Sequence, residues 1–136
     1  MVTYRRDAKL TLEQILDLYR SCSLGERRPI DQPERMAAMV RNANLVVTAW
    51  DGDLLVGIAR SLTDFANVTY LADLAVRESH QRQGIGRELI RETRAAGGEG
   101  TSLVLLSAPA AVDYYPRLGF TAHPSAWWLR PGDPLT

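Results

Sequence analysis

Apolar residues fall first into a short alternating run, then into two helical stretches, then into a series of strands. Val2 to Arg6 alternates and predicts a first strand. Thr11 opens a helix. Gln14 stands at the capping-box spacing, and Leu12, Ile15, Leu16, Tyr19 and Cys22 line one face. On that face Cys22 reads as a small buried hydrophobe, not a nucleophile. Gly25 to Asp31 is a polar break. Asp31, with Glu34 beyond it and Pro33 in the first turn, predicts a second helix that carries Met36, Met39 and Val40 and ends near Asn42.

Leu45 to Trp50 is rich in β-formers, and Asp51-Gly52 is a hairpin signal. Leu54 to Leu62 and Val68 to Val76 predict two further antiparallel strands. The pattern then changes to a polar loop from Arg77 to Gln83, a tight Gly84-Ile85-Gly86 and a helix from Arg87 to Ala96, which Gly97, Gly98 and Gly100 end. Ser102 to Leu106 predicts a short buried strand. The crossover before it is long enough to make it parallel to the preceding strand. A helix from Ala111 to Leu118, stopped by Gly119, and a terminal hairpin or strand pair over Phe120 to Arg130 complete an α+β domain with a mixed sheet.

Composition narrows the classes. With 136 residues, 46% apolar and 24% charged, the chain predicts one domain over residues 1–136 and excludes bulk disorder. No window approaches the roughly 18 apolar residues of a membrane helix. The start, MVTYRRDAKL, has no apolar stretch behind its charges, so no secretory signal is expected. The single cysteine cannot form an internal disulfide, and no His/Cys spacing suggests a metal site. Sixteen basic and sixteen acidic residues cancel, which gives no electrostatic reason to expect nucleic acid or a membrane surface. A reducing cytoplasm is the simplest placement.

The chemistry concentrates between Leu71 and Ile90, where a strand runs into a glycine-containing loop and then a helix. The first turn of a helix leaves backbone N–H groups unpaired and presents the positive end of its dipole, which favours an anion. Gly84 and Gly86 lack a Cβ, so a phosphate can approach the backbone closely. Arg82 and Arg87 flank the turn and can add charge-assisted hydrogen bonds. The third glycine of a dinucleotide fingerprint is absent, since Leu89 follows, and no lysine makes a Walker pattern. A pyrophosphate-like anion is the expected ligand.

The run Gln81-Arg82-Gln83-Gly84-Ile85-Gly86 resembles the Q/R-x-x-G-x-G/A motif of the GNAT N-acetyltransferase superfamily. Asp73-Leu74-Ala75-Val76 resembles the strand that leads into that motif. Tyr115-Pro116-Arg117-Leu118-Gly119-Phe120 resembles the superfamily's late Y-x-x-x-G-F element. Within the superfamily the chain is most similar to small bacterial enzymes related to plastid arylalkylamine-type acetyltransferases.

The resemblance implies the GNAT (acyl-CoA N-acyltransferase) fold: a mixed, mostly antiparallel sheet of six to seven strands with flanking helices and splayed strands four and five. It implies acetyl-CoA as cosubstrate. Its pantetheine arm would pair with backbone groups of Leu74, Ala75 and Val76. Its pyrophosphate would lie on the amides of Arg82, Gln83, Gly84, Ile85, Gly86 and Arg87. The family's asparagine after strand five is missing, and Ser107 is the candidate substitute. Tyr115 is expected to be the general acid to the departing thiolate, because a phenol with a pKa of about 10 is protonated at neutral pH.

Asp73 is the first candidate for the base, with Asp64 or Glu78 acting through water as alternatives. Trp50, Trp127 and Trp128 are candidate walls of an acceptor pocket or core residues; His80 and His123 read as surface and pocket-border positions. The expected reaction is transfer to a primary amine of a small molecule or peptide by direct attack in a ternary complex. A non-catalytic CoA or acetyl-CoA sensor is the alternative. A homodimer is left open.

Overall fold

A computed structural model describes all 136 residues. Its contacts divide the chain into two compact units, 1–106 and 107–136.

In the first unit, β1 (Val2–Arg5), β2 (Leu45–Asp51), β3 (Leu54–Thr63), β4 (Val68–Val76) and β5 (Ser102–Leu105) form one sheet in that spatial order. The first four strands are antiparallel and β5 is parallel to β4. The predicted hairpin is present with Gly52, at φ +60°, in the loop between Asp51 and Leu54. Glycine adopts this left-handed conformation without a Cβ penalty.

Helix α1 (Leu12–Arg20) starts as its capping box requires. The Gln14 N–H donates to Thr11 Oγ1 at 3.1 Å, and the Thr11 N–H donates to Gln14 Oε1 at 2.9 Å. Its inner face, Ile15, Leu16, Leu18 and Tyr19, packs with Met36 of α2 (Pro33–Arg41) onto Trp50, Leu55, Ile58 and Ala75. Leu18, Tyr19 and Met36 are fully buried. Helix α2 is capped by Gln32 and not by Asp31, and no side chain bonds across its start. Pro33 at the first position explains this: it has no N–H to satisfy, and its fixed φ already suits a helix.

Helix α3 (Ile85–Gly97) covers the opposite face of the sheet over β2, β3 and β4. The approach is close at Gly57, where a Cβ would lie 3.0 Å from Leu89 Cδ1 and 3.3 Å from the Ala49 Cβ.

Two strand expectations are corrected. The sheet has five strands, not six or seven. Phe120 to Arg130 contains no strand, and every residue of it except the half-buried Phe120 is exposed. The physical reason is local. Pro124 has no N–H for a ladder, and the Ser125 N–H is taken by His123 Nδ1 at 3.1 Å. No burial there offsets the cost of ordering the chain. The second correction is β5, which is an edge strand and not a buried one: Val104 is 48% exposed.

The second unit holds a 3-10 turn at Pro109–Ala111 and one turn of helix, α4 (Tyr114–Arg117), where a longer helix from Ala111 to Leu118 was expected. No residue of this unit is buried.

Candidate functional site

Strand β4 pairs with β5 only along Val68–Leu71, opposite Ser102–Leu105. On its other side it pairs with β3 throughout, but the register shifts between Arg60 and Ser61. Arg60 faces Asp73 and Ser61 faces Leu71, so Ala72 is an extra residue in β4. A bulge of this kind bends its strand and raises the local twist. It falls at the residue where pairing with β5 ends.

Beyond the bulge the backbone has a definite polarity. The Arg77 N–H donates to the Val56 carbonyl at 2.8 Å. Hydrogen-bonded pairs alternate in an antiparallel ladder, so Ala75 and Asp73 also turn their amides toward β3. Leu74 and Val76 then turn theirs to the side where β5 has stopped. The Gln81 side chain donates to the Val76 carbonyl at 2.9 Å. The open groups on this edge are therefore the Leu74 N–H and carbonyl and the Val76 N–H. Ala75, expected to share in this pairing, faces Ile58 of β3 instead.

The turn before α3 is tight and leaves backbone amides without helical acceptors. Gly84 is its cap at φ +82°, and a Cβ there would meet nothing within 4 Å. Arg82 is also left-handed, at φ +65°, which is unusual for a residue with a side chain. The first bond onto the cap runs from the Glu88 N–H to the Gly84 carbonyl, so the amides of Ile85, Gly86 and Arg87 have no helical acceptor. Arg82, Gln83 and Arg87 are exposed, and neither arginine is in an ion pair. His80, expected on the surface, is largely covered just before the turn, with its side chain 16% exposed and Nε2 2.9 Å from Asp51 Oδ2.

Asp73 does not stand free. It is 2% exposed. Its Oδ2 accepts from Arg60 Nε at 2.6 Å and from the Tyr19 hydroxyl at 2.7 Å, while Oδ1 accepts from Arg28 Nε at 2.7 Å. Burial alone would raise its pKa; the bond and charge of Arg60, then the charge of Arg28, outweigh burial and hold the carboxyl below the usual range. Burial and the neighbouring carboxylate push the Tyr19 phenol up, so it stays a donor. A carboxylate this well supplied with donors is a poor proton acceptor.

Asp64 is engaged too. Its Oδ1 accepts from the amides of Asn67, Ala66 and Val68 at 2.7–3.0 Å, which lower its pKa and fasten the β3–β4 turn. Glu78 is exposed, and its backbone N–H donates to the Ser21 carbonyl.

In the second unit, Tyr115 is partly buried, and its ring stacks edge-on against Phe120 at 5.4 Å and Tyr114 at 5.2 Å. Gly119, at φ +99°, turns the chain so that the Phe120 N–H donates to the Tyr115 carbonyl at 3.2 Å. This gives the Y-x-x-x-G-F element a structural meaning, since the glycine lets the second ring fold back on the first. Burial, then Tyr114, raises the Tyr115 pKa, so the phenol keeps its proton at neutral pH. Ser107 opens this unit directly after Leu106.

Of the tryptophans, Trp50 belongs to the core and its indole N–H donates to Thr48 Oγ1 at 2.8 Å. Trp127 and Trp128 are 94% and 70% exposed.

The sequence reading missed Arg28, Arg60 and Tyr19. Arg60 was within reach: it and Asp73 are opposite charges inside two adjacent apolar strands. Arg28 lies in a polar break and carries no such signal.

Residues 24–127 match the family model described as an acetyltransferase (GNAT) domain, a span that crosses both units. An uncharacterized N-acetyltransferase, ycf52-like, from Prochlorococcus marinus is 31% identical over 130 residues, covering 88% of this chain and 68% of its own length. Among solved structures, a probable acetyltransferase from meticillin-resistant Staphylococcus aureus aligns with a TM-score of 0.77 at 24% identity, over 96% of this chain and 98% of its own. A GNAT-family acetyltransferase from Streptococcus pneumoniae aligns with a TM-score of 0.69 at 25% identity, over 96% and 99%. The chain belongs to the GNAT acetyltransferase family. No helix is long and apolar enough to cross a membrane.

Proposed function

We propose that the protein binds acetyl-CoA and moves its acetyl group to a primary amine of a small molecule or peptide, by direct attack in a ternary complex. One observation carries this reading: the first unit has a half-open strand edge and a turn of unpaired amides on the same strand–loop–helix segment. An amide-rich arm ending in a diphosphate needs both. The open groups of Leu74 and Val76 would pair with the arm, as a sheet edge pairs with an added strand. The amides from Gln83 to Arg87, with the Arg82 and Arg87 side chains, would hold the diphosphate, and the open space at Gly84 leaves room for it. Ser107, the first residue of the second unit, is the candidate for a further polar contact to the cofactor.

When bound, acetyl-CoA supplies an activated acyl group. The chain's part is to place it, to donate to oxygen as charge develops there, and to protonate the leaving sulfur. The open Leu74 N–H is the candidate donor to oxygen. Tyr115 is the candidate acid, since burial keeps its phenol protonated. Asp73 is assigned to positioning and not to proton abstraction, because donors already occupy it. The acceptor amine then reacts from its own neutral fraction.

The test is calorimetric titration with acetyl-CoA, followed by thiol release screened over aliphatic amines, arylalkylamines, amino acids, polyamines and peptides. Micromolar binding with thiol release in the presence of one amine class supports the reading. Binding without release across every class would leave a non-catalytic sensor, and no binding at millimolar ligand would remove the reading.

A further inference from the structure

The Asp73 cluster is larger than a buried ion pair needs to be. Arg60 alone already gives the carboxylate a charged partner at 2.6 Å, and Tyr19 gives it a second donor. Arg28 comes from a different part of the chain, the connection between α1 and α2. Its Nε donates to Asp73 Oδ1 at 2.7 Å, and its Nη2 donates to the Ala72 carbonyl at 3.1 Å. One guanidinium therefore grips both consecutive residues of the bulge. Nη1 donates to the Arg27 carbonyl at 2.8 Å, which fixes the fork to its own segment. The Arg28 side chain is 22% exposed, whereas that of Asp73 is 0% exposed.

The placement gives the grip a consequence. Ala72 is the extra residue that ends pairing between β4 and β5, and Leu74, two residues on, begins the open edge. The extra residue of a bulge is left unpaired in the ladder, so a strand can absorb it and slide by one residue in register unless something pins it. With the bulge absorbed and the residues after it slid by one, Leu74 would stand opposite Ile58 in place of Ala59, and the Leu74 and Val76 amides would turn toward β3 and leave the gap.

We propose that Arg28 is a positioning residue for the transfer reaction. It clips the β4 bulge at Ala72 and Asp73 and so fixes which amides face the acetyl-CoA arm. The proposal rests on the function proposed above.

The variant Arg28→Ala leaves Asp73 with Arg60 and Tyr19, so the fold has no buried bare charge to accommodate. Acetyl-CoA affinity is expected to fall about tenfold, the scale of a small misplacement of binding groups. In amide NMR spectra, shifts are expected to be confined to the α1–α2 connection and to Leu71 through Val76 and their β3 partners. Arg28→Lys sharpens the test. Its single ammonium can pair with Asp73 but cannot make the two-point grip. It is expected to recover the melting temperature that Arg28→Ala loses but not the affinity.

Variants that melt lower yet bind acetyl-CoA as the parent does would reduce Arg28 to a structural ion pair and overturn the proposal. So would full rescue of affinity by lysine. If the parent protein binds no acetyl-CoA, the function falls and takes this role with it. If the parent binds and Arg28→Ala binds equally, only the clip falls.

Discussion

The two units of this acetyltransferase are held together by different means. The first has a two-sided core, with α1 and α2 on one face of the sheet and α3 on the other, and fully buried residues such as Leu18, Met36 and Leu89. The second has no buried residue and is ordered by local contacts: three stacked rings, a glycine turn and one turn of helix. The candidate groups that hold the cofactor's arm and diphosphate belong to the first unit, and the candidate acid belongs to the second. Binding and proton donation should therefore respond to different insults.

The largest effect should come from the first unit's core. Leu18→Ala is expected to cost about 2–5 kcal/mol of unfolding free energy, because it leaves a cavity where nothing is exposed. Urea unfolding followed by circular dichroism measures this, and a loss under about 1 kcal/mol would show that the core is looser than its burial indicates.

Next comes the second unit's candidate acid. Tyr115→Phe keeps the ring stack and removes only the hydroxyl. Turnover should drop by about 100-fold while acetyl-CoA affinity holds. Steady-state kinetics beside calorimetry decides the matter, and undiminished turnover would strip Tyr115 of its role.

Gly84→Val should act in the opposite sense, weakening acetyl-CoA binding by about tenfold or more. Valine is strained at φ +82°, and its side chain would occupy the space left for the diphosphate. Retained affinity would remove the anion turn from the argument.

Titration separates the units more gently. The Asp73 pKa is depressed, so its contribution to stability is present above the unfolded carboxylate range and is lost as pH falls through its folded value. The Tyr115 pKa is raised, so its contribution is intact below about 10 and is lost as pH climbs through its folded value. Acid should loosen signals around Asp73 in the first unit and spare those around Tyr115, whereas alkali should reach both Tyr115 and the first unit's Tyr19, as read by residue-resolved NMR. A common acid midpoint for both would mean the two units titrate as one body.

The smallest effect is expected at Trp127, 94% exposed, where alanine should change stability by less than about 0.5 kcal/mol.

Much of this was legible in the chain. The capping box at Thr11 and the limits of β4 from Val68 to Val76 were readable because each rests on local chemistry. The glycine turn that opens α3 was readable for the same reason. The terminal strands were over-read from apolar content, since Trp127 and Trp128 suggested a buried strand where no partner covers them.

Asp73 was misread for a deeper reason. Strict alternation from Thr69 and Leu71 places Asp73 on the α3 side, yet it bonds to Tyr19 of α1. Thr69 does face α3, lying 2.8 Å from where a Cβ on Gly97 would stand. The extra residue at Ala72 changes the parity of the strand, and nothing in the local sequence announces it. Arg28 was illegible on the same ground: its partners are 44 and 45 residues away, and only the folded chain brings them together.

That parity has a genetic corollary. Losing the single codon for Ala72 would take out the surplus residue and let β4 alternate strictly, so Leu71 would keep facing Ser61 and Asp73 would keep facing Arg60. What disappears is the bend itself, together with the carbonyl that Arg28 Nη2 holds. The deletion thus straightens the strand while sparing the buried carboxylate its partners, whereas a replacement at Ala72 keeps the bend and alters one side chain.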